Sequence, residues 1–414
     1  MLTKALRLHG ANDLRLDTFE ISLPDDGILA SVISDSLCVS TKKALDQGSA
    51  HWRVPDDLDF DPVIVGHELC GVIEEVGERW KGFFEPGEMF TLQPARDGVA
   101  EAPGYSYSFC GGDATKIIIP CELIESGCLI KYRGNGAFRG SLTEPLSCVL
   151  AALRSSYHLN GRAHEMGIKK GGKTILLGGA GTMGLCMVNC VLSSDRRPEL
   201  LVAVDTDPAK LSRASRIIPP SEAEKLGTRL IWLNPANFEK PEESLKRFAG
   251  GSYDDAFIFA PDKGLISLAD RLLGDDGCLN FFAGPNDAKF SAELNFYNIH
   301  YRSRHIVGTS GGDAEDMRDA LSAIEYGRVD PAFMVTHICG LDGALAATKS
   351  LDKLPGAKKL CYPGISLPLT ALSDLEKLGK SDKFLARIAE IIKKTNGLWS
   401  VEAEKYLLQN ARPI

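Results

Sequence analysis

The chain has 414 residues, a length that suits two or three domains rather than one. Hydrophobic residues make up 44% and charged residues 25%, the balance of a globular fold and not of a disordered one. The net charge of −8 and the lack of a long apolar run exclude any compositional case for nucleic acid or a membrane as partner.

Eleven cysteines, an odd number with no CxxC pair, predict reduced thiols and a cytoplasmic location rather than a disulfide framework. Cys70, Cys186, Cys190, Cys278 and Cys361 lie in apolar runs and are expected in the core. The N-terminal "MLTKALRLHGANDLRL" alternates charges and has no signal-peptide core.

The first 150 residues read as a β-rich domain, with short runs such as "GILASVISDS", "GEMFTLQP" and "ATKIIIP" broken by Gly, Pro and Asp. "PVIVGHELCGVIEEVG", residues 62–77, reads as a buried or half-buried strand with His67 and Glu68 at its centre. Burying an imidazole and a carboxylate costs several kcal/mol unless something satisfies them. Residues 93–112, "QPARDGVAEAPGYSYSFCGG", form a loop long enough to suggest a functional role or a lost subsite.

From Lys173 the pattern changes to alternating strands and helices, which predicts a parallel sheet covered on both faces. Gly179-Ala180-Gly181-Thr182-Met183-Gly184 follows an apolar strand, opens a helix and precedes a second strand that reaches Asp205. That is the context a dinucleotide fingerprint requires. Gly179 is expected to make the tight turn, Gly181 to admit the pyrophosphate and Gly184 to let helix and strand approach. Thr182 and Met183 open the helix whose N–H groups would face the phosphates. Asp205 would accept from the ribose hydroxyls and repel a 2′-phosphate, favouring NAD(H) and leaving NADP(H) open. An adenosylmethionine site or a bare turn are the competing readings. Expected boundaries are 1–155 for the β-rich domain, 156–311 for the nucleotide domain, 312–363 for a return segment and 364–414 for a charged helical extension.

Cys38, His67, Glu68 and Glu144 are the ligand types that a catalytic zinc takes. Taken singly, His67 reads as a satisfied structural histidine and Cys38 as a core thiol. It is the order of Cys38, "GHE", "EPL" and GxGxxG that points to metal. Together with "GCLNFFAG" and "VTHI", these motifs resemble the zinc-dependent medium-chain alcohol and polyol dehydrogenases over about residues 1–363. The resemblance implies an α/β architecture, with a GroES-like catalytic domain and a Rossmann domain and the reaction in the cleft between them. It implies Cys38, His67 and Glu68 around zinc, Glu144 close by directly or through water, and Ser40 passing the substrate proton.

A nearer likeness, to the family's sugar-phosphate branch, covers the tail as well. It implies reversible hydride transfer between NAD(P)H and the C2 ketone of L-sorbose 1-phosphate, giving D-glucitol 6-phosphate. Two departures stand out. The family's structural zinc needs four close cysteines near residues 90–112, where only Cys110 occurs, so a single zinc per subunit is expected. Lys43 stands where many relatives carry a relay histidine. Lys42, Lys43, His51 and Arg53, between two of the expected ligands, are candidates for the substrate phosphate or are ordinary surface charges. A homodimer or homotetramer is the expected assembly. The alternatives are a polyol dehydrogenase acting on an unphosphorylated sugar alcohol, a zinc-free quinone reductase of this fold, and a non-catalytic nucleotide-binding scaffold.

Overall fold

The structure is a computed structural model that describes residues 1–96 and 98–414. The chain forms two units: Met1–Leu146 together with Asp313–Ile414, and Ser147–Gly312. The expected boundary near residue 155 thus moves to 146/147, inside the helix Thr143–Ser155.

In the first unit the short β runs pair into one large sheet. Its path is Thr370–Ala371, Val335–Gly340, Lys358–Tyr362, Ile28–Leu37, Leu69–Val76, Met89–Leu92 and Leu129–Lys131, and Lys116–Ile119 also pairs with Ile28–Leu37. The long central strand Ile28–Leu37 turns Ile28, Ala30 and Val32 into a core shared with Ile73, Phe90 and Ile117. The return segment supplies two adjacent strands of this sheet, placing Lys358 beside the end of Ile28–Leu37.

The run 62–77 is not one strand, contrary to the sequence reading. Val63–Ile64 pairs with Leu2–Gly10 in a three-stranded sheet, and Leu69–Val76 belongs to the large sheet. Residues 65–68 cross between the two sheets, and His67 and Glu68 sit in that crossing. Both halves are buried, so their apolar pattern runs on unbroken across the switch. Gly66 makes the crossing at φ +91°, where a Cβ would meet the Asp113 amide nitrogen at 2.6 Å.

The second unit is a six-stranded parallel sheet. Its order is Arg229–Leu233, Leu200–Val204, Lys173–Leu177, Tyr253–Ile258, Leu273–Phe281 and His305–Val307. The order reverses at Lys173–Leu177, the switch point at which such sheets bind nucleotides. All five cysteines expected in the core are buried.

The tail forms the helices Lys383–Lys393 and Val401–Asn410, capped by Asp382 and Ser400, and packs within the first unit. Its last strand, Arg412–Pro413, pairs with Ile365–Ser366. Among the described residues no helix is long and apolar enough to cross a membrane.

Candidate active site

Cys38 follows the central strand directly and stands at the N-cap of the helix Val39–Gln47. The crossing at 65–68 lies alongside, because the Ser36 amide donates to the Glu68 carbonyl at 3.0 Å. One ligand atom from each of Cys38, His67 and Glu68 therefore falls within 4.8 Å of the others. His67 and Glu68 are 4% and 1% exposed, and Cys38 is half-buried, so two of the three ligands are shielded from water.

His67 faces two hydroxyls: Thr41 Oγ1 lies 3.3 Å from Nδ1 and Tyr105 OH 3.4 Å from Nε2. Burial lowers the imidazole's pKa, against the pull of Glu144 and Glu68, so the ring is held neutral as a metal ligand must be. Burial pushes the Cys38 thiol up to about 12, Lys358 opposing and Glu68 and Glu144 adding to it. Glu68 Oε2 is buried without a hydrogen-bond partner, while Oε1 pairs with Lys358 Nζ. A sulfur, an imidazole and an orphaned carboxylate oxygen at this spacing form the donor set of a zinc site.

Glu144 lies in the first turn of Thr143–Ser155 and is not part of the triangle. Its charge reaches Cys38, His67, Tyr105 and Lys358. Ser40 follows Cys38 by two residues; its amide is directed at the Cys38 sulfur and its hydroxyl makes no hydrogen bond among the described residues. Of the four candidate phosphate ligands, Lys42 is paired with Asp46. Arg53 has no carboxylate partner among the described residues, and His51 senses the charges of Arg53, Lys43 and His67 after its own burial.

In the second unit, the turn after Lys173–Leu177 takes its positive φ at Gly178 (+78°), one residue before the glycine expected to make it. Gly179 is required by packing instead: a Cβ there would lie 2.7 Å from Leu176 Cβ. Gly184 is pressed against the turn, its Cβ position 2.5 Å from the Gly179 carbonyl oxygen. Gly181 is different, with nothing nearer than 3.7 Å. It is the N-cap of the helix Thr182–Ser193 and offers no side-chain cap to the amides of the first turn. Asp205 follows Leu200–Val204 and accepts from the Asp207 amide at 3.1 Å. The helix beyond it is capped by Asp207, which leaves Asp205 without a capping role.

No protein-family model matches the chain. The L-sorbose 1-phosphate reductase of Klebsiella pneumoniae is 44% identical over 421 residues, covering 100% of this chain and 98% of the relative. The mannitol-1-phosphate 5-dehydrogenase of Aliivibrio fischeri is 44% identical over 412 residues, covering 98% and 97%. The chain belongs to the medium-chain alcohol and polyol dehydrogenases. The crystal structure of 2R,3R-butanediol dehydrogenase from Bacillus subtilis shares the fold, with a TM-score of 0.71 at 22% identity over 87% of this chain and 99% of that one.

In this dehydrogenase the sequence reading missed four residues that contact the Cys38–His67–Glu68 triangle: Asp35, Thr41, Tyr105 and Lys358. Lys358 and Lys359 occupy a strand buried at every position, and a lysine pair in an apolar run was the available signal. Burial lowers the pKa of Lys358, but Glu68 and Cys38 more than reverse this and keep it charged. Asp35 is fully buried in the central strand and accepts from the Glu68 amide at 3.1 Å. Thr41 lies one turn into its helix, and Tyr105 comes from the long loop 93–112.

Proposed function

We propose that this dehydrogenase uses NADH to reduce the C2 ketone of a ketose phosphate, with L-sorbose 1-phosphate giving D-glucitol 6-phosphate as the pair to assay first. The observation that carries the reading is the Cys38–His67–Glu68 triangle, with His67 and Glu68 buried and Cys38 half-buried. It stands in a chain matched end to end by relatives named for sugar phosphates. Ketone, NADH and a proton give the secondary alcohol and NAD+. Cys38, His67 and Glu68 would hold one zinc ion, with Glu144 at one remove. Bound there, zinc supplies Lewis-acid polarisation of the carbonyl. Ser40 Oγ relays a proton from solvent to the carbonyl oxygen as hydride arrives, its own proton being replaced in the same transfer, and passes the alcohol proton outward in the oxidative direction.

The amides that follow Gly181 receive the pyrophosphate, and Asp205 accepts from the adenosine ribose hydroxyls. Asp205→Ala is expected to weaken NADH and to relax discrimination against NADPH; the ratio of kcat/KM for the two cofactors measures it. An unchanged ratio with lowered stability would return Asp205 to a structural role. Arg53, with His51 and Lys43 close by, is the first candidate for the substrate phosphate, because Lys42 is committed to Asp46. Assembly as a homodimer or homotetramer and a cytoplasmic location belong to the same reading, and size-exclusion chromatography tests the former.

The deciding experiment is NADH oxidation with L-sorbose 1-phosphate and with L-sorbose, alongside zinc analysis. The expected result is turnover that strongly prefers the phosphorylated ketose. Zinc and NADH binding without turnover of any ketose or hexitol phosphate would leave a scaffold. A second reading, oxidation of mannitol 1-phosphate with NAD+, is favoured by the name of the second relative, and the reverse assay separates it.

A further inference from the structure

Residues 99–112 are built against the metal centre rather than draped over the surface. Gly104 sits at φ +78°, and a Cβ there would lie 2.1 Å from the Gly66 carbonyl oxygen, so the loop touches the backbone that presents His67. The Gly104 amide donates to the Cys110 carbonyl at 3.1 Å, and the Ala102 amide to Ser106 Oγ at 2.9 Å. Ser106 Oγ in turn donates to the Arg53 carbonyl at 2.6 Å, and Arg53 Nη1 reaches the Ala100 carbonyl at 3.4 Å. Two segments distant in sequence are thereby stitched into one wall.

Tyr105 is the side chain this wall delivers. It is 6% exposed, its ring stacks on His67 at 4.9 Å and on His51 at 5.5 Å, and the Arg53 guanidinium lies 5.9 Å from its centre. A buried phenol hydroxyl ordinarily finds a firm partner. This one has only the 3.4 Å approach to His67 Nε2 among the described residues.

We infer that Tyr105 is a substrate-binding residue: its hydroxyl donates a hydrogen bond to a sugar oxygen beside the reacting carbon, and residues 99–112 are the wall that presents it. The inference rests on the ketose-phosphate reading above. The row His67, Tyr105, His51, Arg53 then runs from the reacting carbonyl to the cation, so one wall reads both the polyol and the phosphate. Donor groups that fix a hydroxyl in this way discriminate strongly, because a substrate lacking it leaves a buried partner unmet.

Tyr105→Phe removes the hydroxyl and keeps the ring. NADH oxidation by the zinc-loaded wild type and variant is measured with L-sorbose 1-phosphate and D-fructose 6-phosphate, with rates expressed per bound zinc. Zinc content and the NADH dissociation constant are measured in parallel. The expected result is a fall in kcat/KM of about 10-fold, the scale of one neutral hydrogen bond, with a raised KM and unchanged zinc and NADH binding. A change below about 2-fold overturns the inference. So does a loss of zinc with KM unchanged, since Tyr105 would then only be supporting His67. Ser106→Ala, which loosens the wall and leaves the phenol in place, is expected to raise KM in the same direction at full zinc content. A wild type that oxidises NADH with neither ketose phosphate removes the ketose-phosphate reading itself, and the inference falls with it.

Discussion

At Glu68 two demands meet on one carboxylate, because Lys358 Nζ holds Oε1 while Oε2 is buried without a partner. Asp35, Asp113 and Glu68 bring three buried acids close together, and burial alone raises Asp113 to about 7. Lys358 is the buried cation that offsets this charge in the metal-free protein. Removing one partner of a buried ion pair costs about 3–5 kcal/mol. Lys358→Met is therefore expected to lower the Tm of chelator-stripped protein far more than that of zinc-loaded protein, because a bound cation replaces the lost charge. Equal losses in both states, followed by differential scanning calorimetry, would argue that Lys358 serves packing alone. Cys38→Ser is expected to abolish turnover and zinc retention while leaving the NADH dissociation constant unchanged, since the nucleotide turn belongs to the other unit. Fluorescence titration checks it.

At the scale of elements, the turn at 178–184 separates two kinds of glycine. Gly184 has the Gly179 carbonyl oxygen 2.5 Å from its Cβ position, and that contact is backbone, which cannot step aside. Gly184→Ala is thus expected to cost stability, about 1–3 kcal/mol as for other overpacked sites, and NADH affinity with it. Gly181 has open space around it, so Gly181→Ala is expected to fold normally and bind NADH at least 10-fold more weakly, its methyl standing where the pyrophosphate approaches. Thermal melts paired with NADH titration separate the two effects. The motif was legible because strand, turn and helix are contiguous. Within it, the positive φ at Gly178 was not, since three successive residues can share out a turn in more than one way. The crossing at 65–68 was hidden for a related reason: burial on both sides looks the same whether one sheet or two provide it.

On the scale of the whole molecule, the tail is tied to the first unit through Glu404, which is 3% exposed. Its carboxylate accepts from the amides of Ala137 and Phe138 at 2.7 and 2.8 Å and from Tyr362 OH at 3.0 Å, and Trp399 Nε1 donates to the same tyrosine oxygen at 2.8 Å. Burial nevertheless raises this carboxyl from 4.5 to about 7. A carboxyl raised on folding contributes its full stability below its unfolded pKa and loses it as pH climbs through the folded one. Wild-type protection is therefore expected to fall between pH 4.5 and 7 by about 3 kcal/mol more than that of Glu404→Gln, whose side chain does not titrate. Hydrogen exchange at the amides of 401–410 reads this; parallel slopes in the two proteins would exclude Glu404 as the cause. What the sequence by itself determined was the order of parts: the strand–turn–helix of the nucleotide unit, and Cys38, His67 and Glu68 as chemically costly residues in apolar surroundings. Those signals are local, carried by periodicity and by residue types that a core admits only at a cost. Tertiary structure alone decided which groups meet them. Lys358 reaches Glu68 from 290 residues away because its strand lies beside Ile28–Leu37. Tyr105 arrives from a loop with no periodicity, and Glu404 from a tail helix whose exposed face resembles any other. Burial of a charge requires a partner, but strand order and loop packing choose it, and neither leaves a mark on the residues near the charge in sequence.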